Sequence, residues 1–80
     1  MELNEFITKF ADQFEETDKS QFIADTDFKN LDEWSSLVAL TIIAMVDEDY
    51  DVQLKGADIR DSVTIKDLFD RISVYKSNKG

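Results

Sequence analysis

The sequence contains no cysteine, no histidine and no proline, and only two glycines. Without cysteine, neither a disulfide nor a thiolate metal site can reinforce the core. Without histidine, the chain lacks the commonest general base and the commonest metal ligand. That removes Ser/His and Cys/His nucleophilic pairs and an ordinary zinc site, so no metal residues are assigned. With no proline and so little glycine, helices joined by polar loops are the natural expectation. Any chemistry has to come from carboxylates, hydroxyls or a group attached later.

What the chain has in excess is acid. Its 80 residues carry 18 acidic and 9 basic side chains, a formal net charge of −9. Such a chain repels nucleic-acid phosphates and anionic membrane surfaces, and is steered towards basic patches on protein partners. Its length fits one domain over 1–80, expected to be a monomer, near the lower size limit for a self-sufficient core. The longest apolar run, Leu37 to Val46, is interrupted by Thr41 and is too short to span a bilayer. The start, Met1-Glu2-Leu3-Asn4-Glu5, has no apolar signal core, so a cytoplasmic location is expected.

Hydrophobic spacing sets out the helices. Leu3, Phe6, Ile7, Phe10 and Phe14 predict an amphipathic helix over 2–16. Phe22, Ile23 and Phe28 punctuate a long acidic loop and are expected to pin it to the core, with Trp34 anchoring its end. Ser35 and Ser36 precede an apolar run, and a helix starting there is expected to reach about Tyr50. That helix is apolar nearly all round at first, so part of it has to face another helix or a partner. Residues 57–61 suit one short helical turn. Thr64 with Asp67 reads as a cap, and Ile65, Leu68, Phe69 and Ile72 predict a last helix ending near Tyr75, with 76–80 frayed. Val52-Gln53-Leu54 alternates but is too short to build a sheet. The expected fold is all-α: a small four-helix bundle with three longer helices, one short one and a long first loop.

Two adjacent serines read first as helix caps. A serine at a helix start also sits beside unpaired amides and the positive end of the helix dipole, a suitable place for a phosphodiester. Asp47, Asp49, Asp51 and Asp58 invite comparison with a calcium-binding loop. That loop needs glycine where Val52 stands and normally glutamate where Asp58 stands, so the comparison fails. The pairs Glu15-Glu16 and Asp32-Glu33 are expected on solvated faces, not in a catalytic pocket.

The stretch Asp32-Glu33-Trp34-Ser35-Ser36-Leu37-Val38-Ala39-Leu40 resembles the modification site of acyl carrier proteins. In that family an Asp-Ser-Leu motif opens the second helix, and its serine receives 4'-phosphopantetheine. Met45 through Asp47-Glu48-Asp49-Tyr50-Asp51-Val52 is similar to the family's acidic helix end, followed by an aromatic, an aspartate and an aliphatic. Counting back from Tyr50 by the family's usual spacing lands on Ser36, with Leu37 as the motif's leucine. Val63-Thr64-Ile65, then Leu68, Phe69 and Ile72, looks like the start of the family's last helix. The resemblance covers essentially the whole chain. Ser35 stands where the motif has aspartate, and no glycine precedes it.

The resemblance implies a bundle of acyl-carrier type and a carrier, not an enzyme. A phosphopantetheinyl transferase would attach the arm from coenzyme A to Ser36. An acyl-loading ligase or transferase and synthase enzymes of fatty-acid or polyketide type would be the other partners. Leu37, Val38, Leu40, Thr41 and Met45 would face those partners, and Asp47, Glu48 and Asp49 would supply charge steering. Two alternatives stand beside this: an aminoacyl or peptidyl carrier using the same serine, and a non-carrier helical adaptor using only its acidic helix.

Overall fold

The helices lie where hydrophobic spacing places them, the second and the last each opened by a side-chain cap, and the computed structural model describes residues 2–79. Helix α1 spans Leu3–Ala11, α2 Ser36–Tyr50, α3 Gly56–Asp61 and α4 Ile65–Lys79. Two single 3₁₀ turns, Lys19–Gln21 and Phe28–Asn30, lie in the long connection before α2. Among the described residues there is no strand; one isolated antiparallel bridge joins Asp27 to Thr64. The bundle is therefore all-α, and Val52-Gln53-Leu54 simply inserts Val52 and Leu54 into the core. No helix is long and apolar enough to cross a membrane among the described residues.

Helix α1 is shorter than the expected 2–16. After Ala11 the amides tighten into three-residue turns, with Gln13 donating to the Phe10 carbonyl (3.1 Å) and Phe14 to that of Ala11 (3.0 Å). The next three amides, those of Glu15, Glu16 and Thr17, all donate to the Glu33 carboxylate. Continuing the helix would also have placed two glutamates at its negative end. Phe14 still reaches the core, but from a turn.

Helix α4 departs the other way and runs on to Lys79, past the expected end at Tyr75. The Lys76 ammonium donates to the Tyr50 carbonyl (2.8 Å), tying this last stretch to the end of α2. Gly80 lies outside the described residues. The Thr64–Asp67 cap forms as expected: the Asp67 amide donates to Thr64 Oγ1 (3.1 Å), and the Thr64 amide donates back to Asp67 Oδ2 (3.0 Å).

The core is aromatic. Phe10 packs against Phe6, Phe14, Phe22 and Phe28, with ring centroids 5.3 to 6.2 Å apart. Phe22 and Phe28 thereby fasten the long loop, but Ile23 does not: it is 59 % exposed. It follows Phe22 immediately in an extended segment, where neighbouring side chains point to opposite sides. Ile42 and Val46 from α2, and Ile65, Leu68 and Ile72 from α4, close the core from the far side.

Asp58 fixes the short helix. Only 5 % exposed, it accepts from the Lys55 amide (2.9 Å), Arg71 (3.0 Å) and the Tyr75 hydroxyl (2.9 Å). Burial pushes its carboxyl up, but these three donors outweigh it and hold the pKa below its ordinary value. A depressed carboxyl stabilises the fold above its unfolded pKa, and that contribution is lost as pH falls through the folded one. Asp58→Asn is therefore expected to lower stability at neutral pH by about 1–3 kcal/mol, because two donors on α4 lose their ion. Urea unfolding at a series of pH values should also show a shallower acid limb than wild type. Phe10→Ala should cost about 3–5 kcal/mol in the same assay, a large share of a small domain's stability.

Candidate modification site and partner face

The two serines at the start of α2 have different jobs. Ser35 has extended backbone geometry and is the N-cap; its Oγ accepts from the Val38 amide (3.2 Å). Ser36 is the first helical residue, is exposed, and its hydroxyl makes no hydrogen bond among the described residues. The amides of Ser36 and Leu37 are likewise without a partner there. No acidic residue occupies the first turn of α2. A free hydroxyl thus sits beside two free N–H donors at an uncompensated positive helix end. That donor set fits a phosphodiester carried on Ser36.

One exposed stripe runs down α2 from Ser36. Leu37 is 71 % and Leu40 62 % exposed, and Ala44, Asp47 and Glu48 continue the same side. The opposite side, Ile42, Met45, Val46 and Tyr50, is core. Met45, expected to face a partner, is only 6 % exposed and packs inward, since it falls one turn beyond Ile42 on the buried side. Val38 and Thr41 are half-buried at the edge; Val38 packs on the core, and the Thr41 hydroxyl donates to the Val38 carbonyl (2.7 Å). Beside the stripe an open groove of about 300 Å³ is lined by Leu40, Ile43, Ala44, Asp47, Gln53 and Leu54.

The stripe ends in acid. Asp47, Glu48 and Asp49 occupy the last turn of α2 with no basic residue among them. Carboxylates there oppose the negative end of the dipole. Lys9 meets Asp49 at 3.5 Å and lies 5.2 Å from the centre of the Tyr50 ring. Asp47 and Glu48 make no ion pair among the described residues. Asp47 and Asp49 stay on α2 while Asp58 is held by α4, so these carboxylates do not converge as a calcium loop would require. Among the described residues no cluster of three or more carboxylates is arranged to hold a metal ion.

Of the two acidic pairs, Glu15-Glu16 and Asp32-Glu33, only Glu33 leaves the solvated role expected for it. It is half-buried and accepts four hydrogen bonds from the loop after α1. Its importance has no local signature, because its donors lie 16 to 18 positions back.

No family model, curated protein or solved structure matches the chain.

Single substitutions should separate these roles in thermal and urea unfolding. Ser35→Ala should cost about 1 kcal/mol, the usual loss of an N-cap. Ser36→Ala and Leu37→Ala should stay within about 0.5 kcal/mol, as exposed changes do. Met45→Ala should cost about 2–5 kcal/mol as a core truncation.

Proposed function

We propose that this protein is an acyl carrier that receives a 4'-phosphopantetheine arm on Ser36 and serves fatty-acid or polyketide-type synthesis. The observation that carries this reading is the unengaged Ser36 hydroxyl at an α2 N-terminus with two free amides and no acid in its first turn. Ser35 caps the helix, which leaves Ser36 free for modification. The chain supplies a nucleophile only inside another enzyme's active site: Ser36 Oγ forms a bond to the pantetheine-bearing phosphorus of coenzyme A, the pyrophosphate bond breaks to release 3',5'-adenosine bisphosphate, and the hydroxyl proton passes to a base of the transferase. Once attached, the arm supplies a terminal thiol that carries an acyl group as a thioester. The absence of cysteine means that no protein thiol competes for that group.

The face beside Ser36 supports docking by a basic, partly apolar surface. Leu37 and Leu40 offer apolar area not needed by the core. Carboxylates at the negative end of α2 work against helix stability, so their value lies in encounter with a partner. The partners on this reading are a phosphopantetheinyl transferase, then a loading enzyme and a synthase.

The test is mass spectrometry after incubation with coenzyme A and a promiscuous phosphopantetheinyl transferase. One added arm is expected on wild type and on Ser35→Ala, and none on Ser36→Ala. An unmodified wild type, or an arm that survives Ser36→Ala, rejects the assignment. Presenting the armed protein to acyl-activating and to amino-acid-activating ligases then distinguishes an acyl carrier from an aminoacyl carrier.

A further inference from the structure

Directly before α2, one carboxylate closes a loop across the molecule. Glu33 accepts from the amides of Glu15 (2.8 Å), Glu16 (3.1 Å) and Thr17 (2.9 Å), and from the Thr17 hydroxyl (2.7 Å). Successive amides that converge in this way form a concave anion site, here filled by the chain's own side chain. Such charge-assisted bonds are stronger than neutral ones. The Thr17 hydroxyl first, and then the three amides, hold the Glu33 carboxyl below its ordinary value against the opposing effect of burial.

The residues between Glu33 and Ser36 transmit this hold. The Trp34 amide donates to the Leu31 carbonyl (3.0 Å). Its ring stacks on Phe14 (6.4 Å, 26°) and meets Phe28 edge-on (5.1 Å). Phe14 lies immediately before the three donor residues, so polar latch and aromatic wedge bind the same two chain segments. Ser35 then caps α2. No flexible residue separates latch, wedge and cap; each is the next position in sequence.

We infer that Glu33 is a positioning residue for the modification of Ser36. Its carboxylate ties 32–35 to the loop at 15–17, and so sets the pose in which the start of α2 offers its outward hydroxyl to the transferase. This inference rests on the carrier reading of Ser36. A protein substrate whose docking segment is held in its competent pose only part of the time binds its enzyme more weakly, even if the chemistry at its hydroxyl is unchanged. The same contacts explain why Glu33 does not replace the acid absent at Ser35: its oxygens are taken up on the side of the loop after α1.

Three variants of the full chain test this. Glu33→Gln keeps the size and removes the charge, and Glu33→Asp keeps the charge one methylene short. Asp67→Asn removes the charge that accepts from the Val63 and Thr64 amides at the start of α4, and controls for lost stability alone. Relative to wild type, Glu33→Gln should raise the transferase KM for the protein about tenfold with kcat within about twofold. Glu33→Asp should recover part of that loss, and Asp67→Asn should leave KM unchanged. In amide exchange, the hydrogen-bonded amides of Trp34, Val38 and Ala39 should exchange about tenfold faster in Glu33→Gln and not in Asp67→Asn. Unchanged exchange at these amides, or an equal KM shift in Asp67→Asn, overturns the inference. A wild type that accepts no arm rejects the carrier reading and the role in modification with it. The exchange arm still reports separately whether Glu33 holds the segment.

Discussion

The structure depends on the fastening of the connection between α1 and α2. That segment contains no helix longer than a single turn, and it is too long to be ordered by its ends alone. Aromatic rings order it. Phe22 and Phe28 insert beside Phe10 and Phe14, and Trp34 closes over Phe14 and Phe28. Each ring buries a large apolar area while immobilising only two side-chain torsions, so ordering it costs little entropy for the surface it removes from water. This suits a domain near the size at which a core ceases to be self-sufficient. The same rings belong to the core under α2, so the loop is continuous with the bundle.

Charge is distributed to complement that core. The basic side chains are largely used internally. Lys9 bridges Glu5 and Asp49, Lys66 pairs with Asp70, Arg71 serves Asp58 and Asp61, and Lys76 binds the Tyr50 carbonyl. Several of these are exposed pairs and contribute little each. Their collective effect is on placement: with half as many bases as acids, internal use leaves Asp47 and Glu48 uncompensated at the end of α2. The surface field beside the exposed Leu37–Leu40 stripe is therefore negative, the polarity that a basic partner would follow.

The features legible in the sequence are those encoded locally. The start of α2 at Ser35–Ser36 and the Thr64–Asp67 cap are decided within four residues, and both are where spacing predicts them. The end of α1 is hidden in the sequence because Glu33 lies 16 to 18 positions from the amides that it captures. The end of α4 is hidden because its anchor, the Tyr50 carbonyl, is 26 positions before Lys76. Helix α2 poses a different difficulty: apolar residues nearly all round it mark two faces without saying which meets the core. Leu40 and Met45 are indistinguishable by composition, yet one is exposed and the other enclosed. The elements packed against α2 decide between them.

The departure at Ser35 takes its meaning from the structure around it. An aspartate there would cap α2 and also place a full negative charge against the helix's positive end. Serine performs the capping through its hydroxyl alone, and the nearest preceding acid, Glu33, is drawn to the other side of the loop. The N-terminus of α2 therefore keeps its electrostatic capacity, with two free amides and no competing carboxylate in its first turn. On the carrier reading, the phosphodiester itself would become the anion that completes this helix end. Attachment would then tighten the start of α2 as well as decorate it.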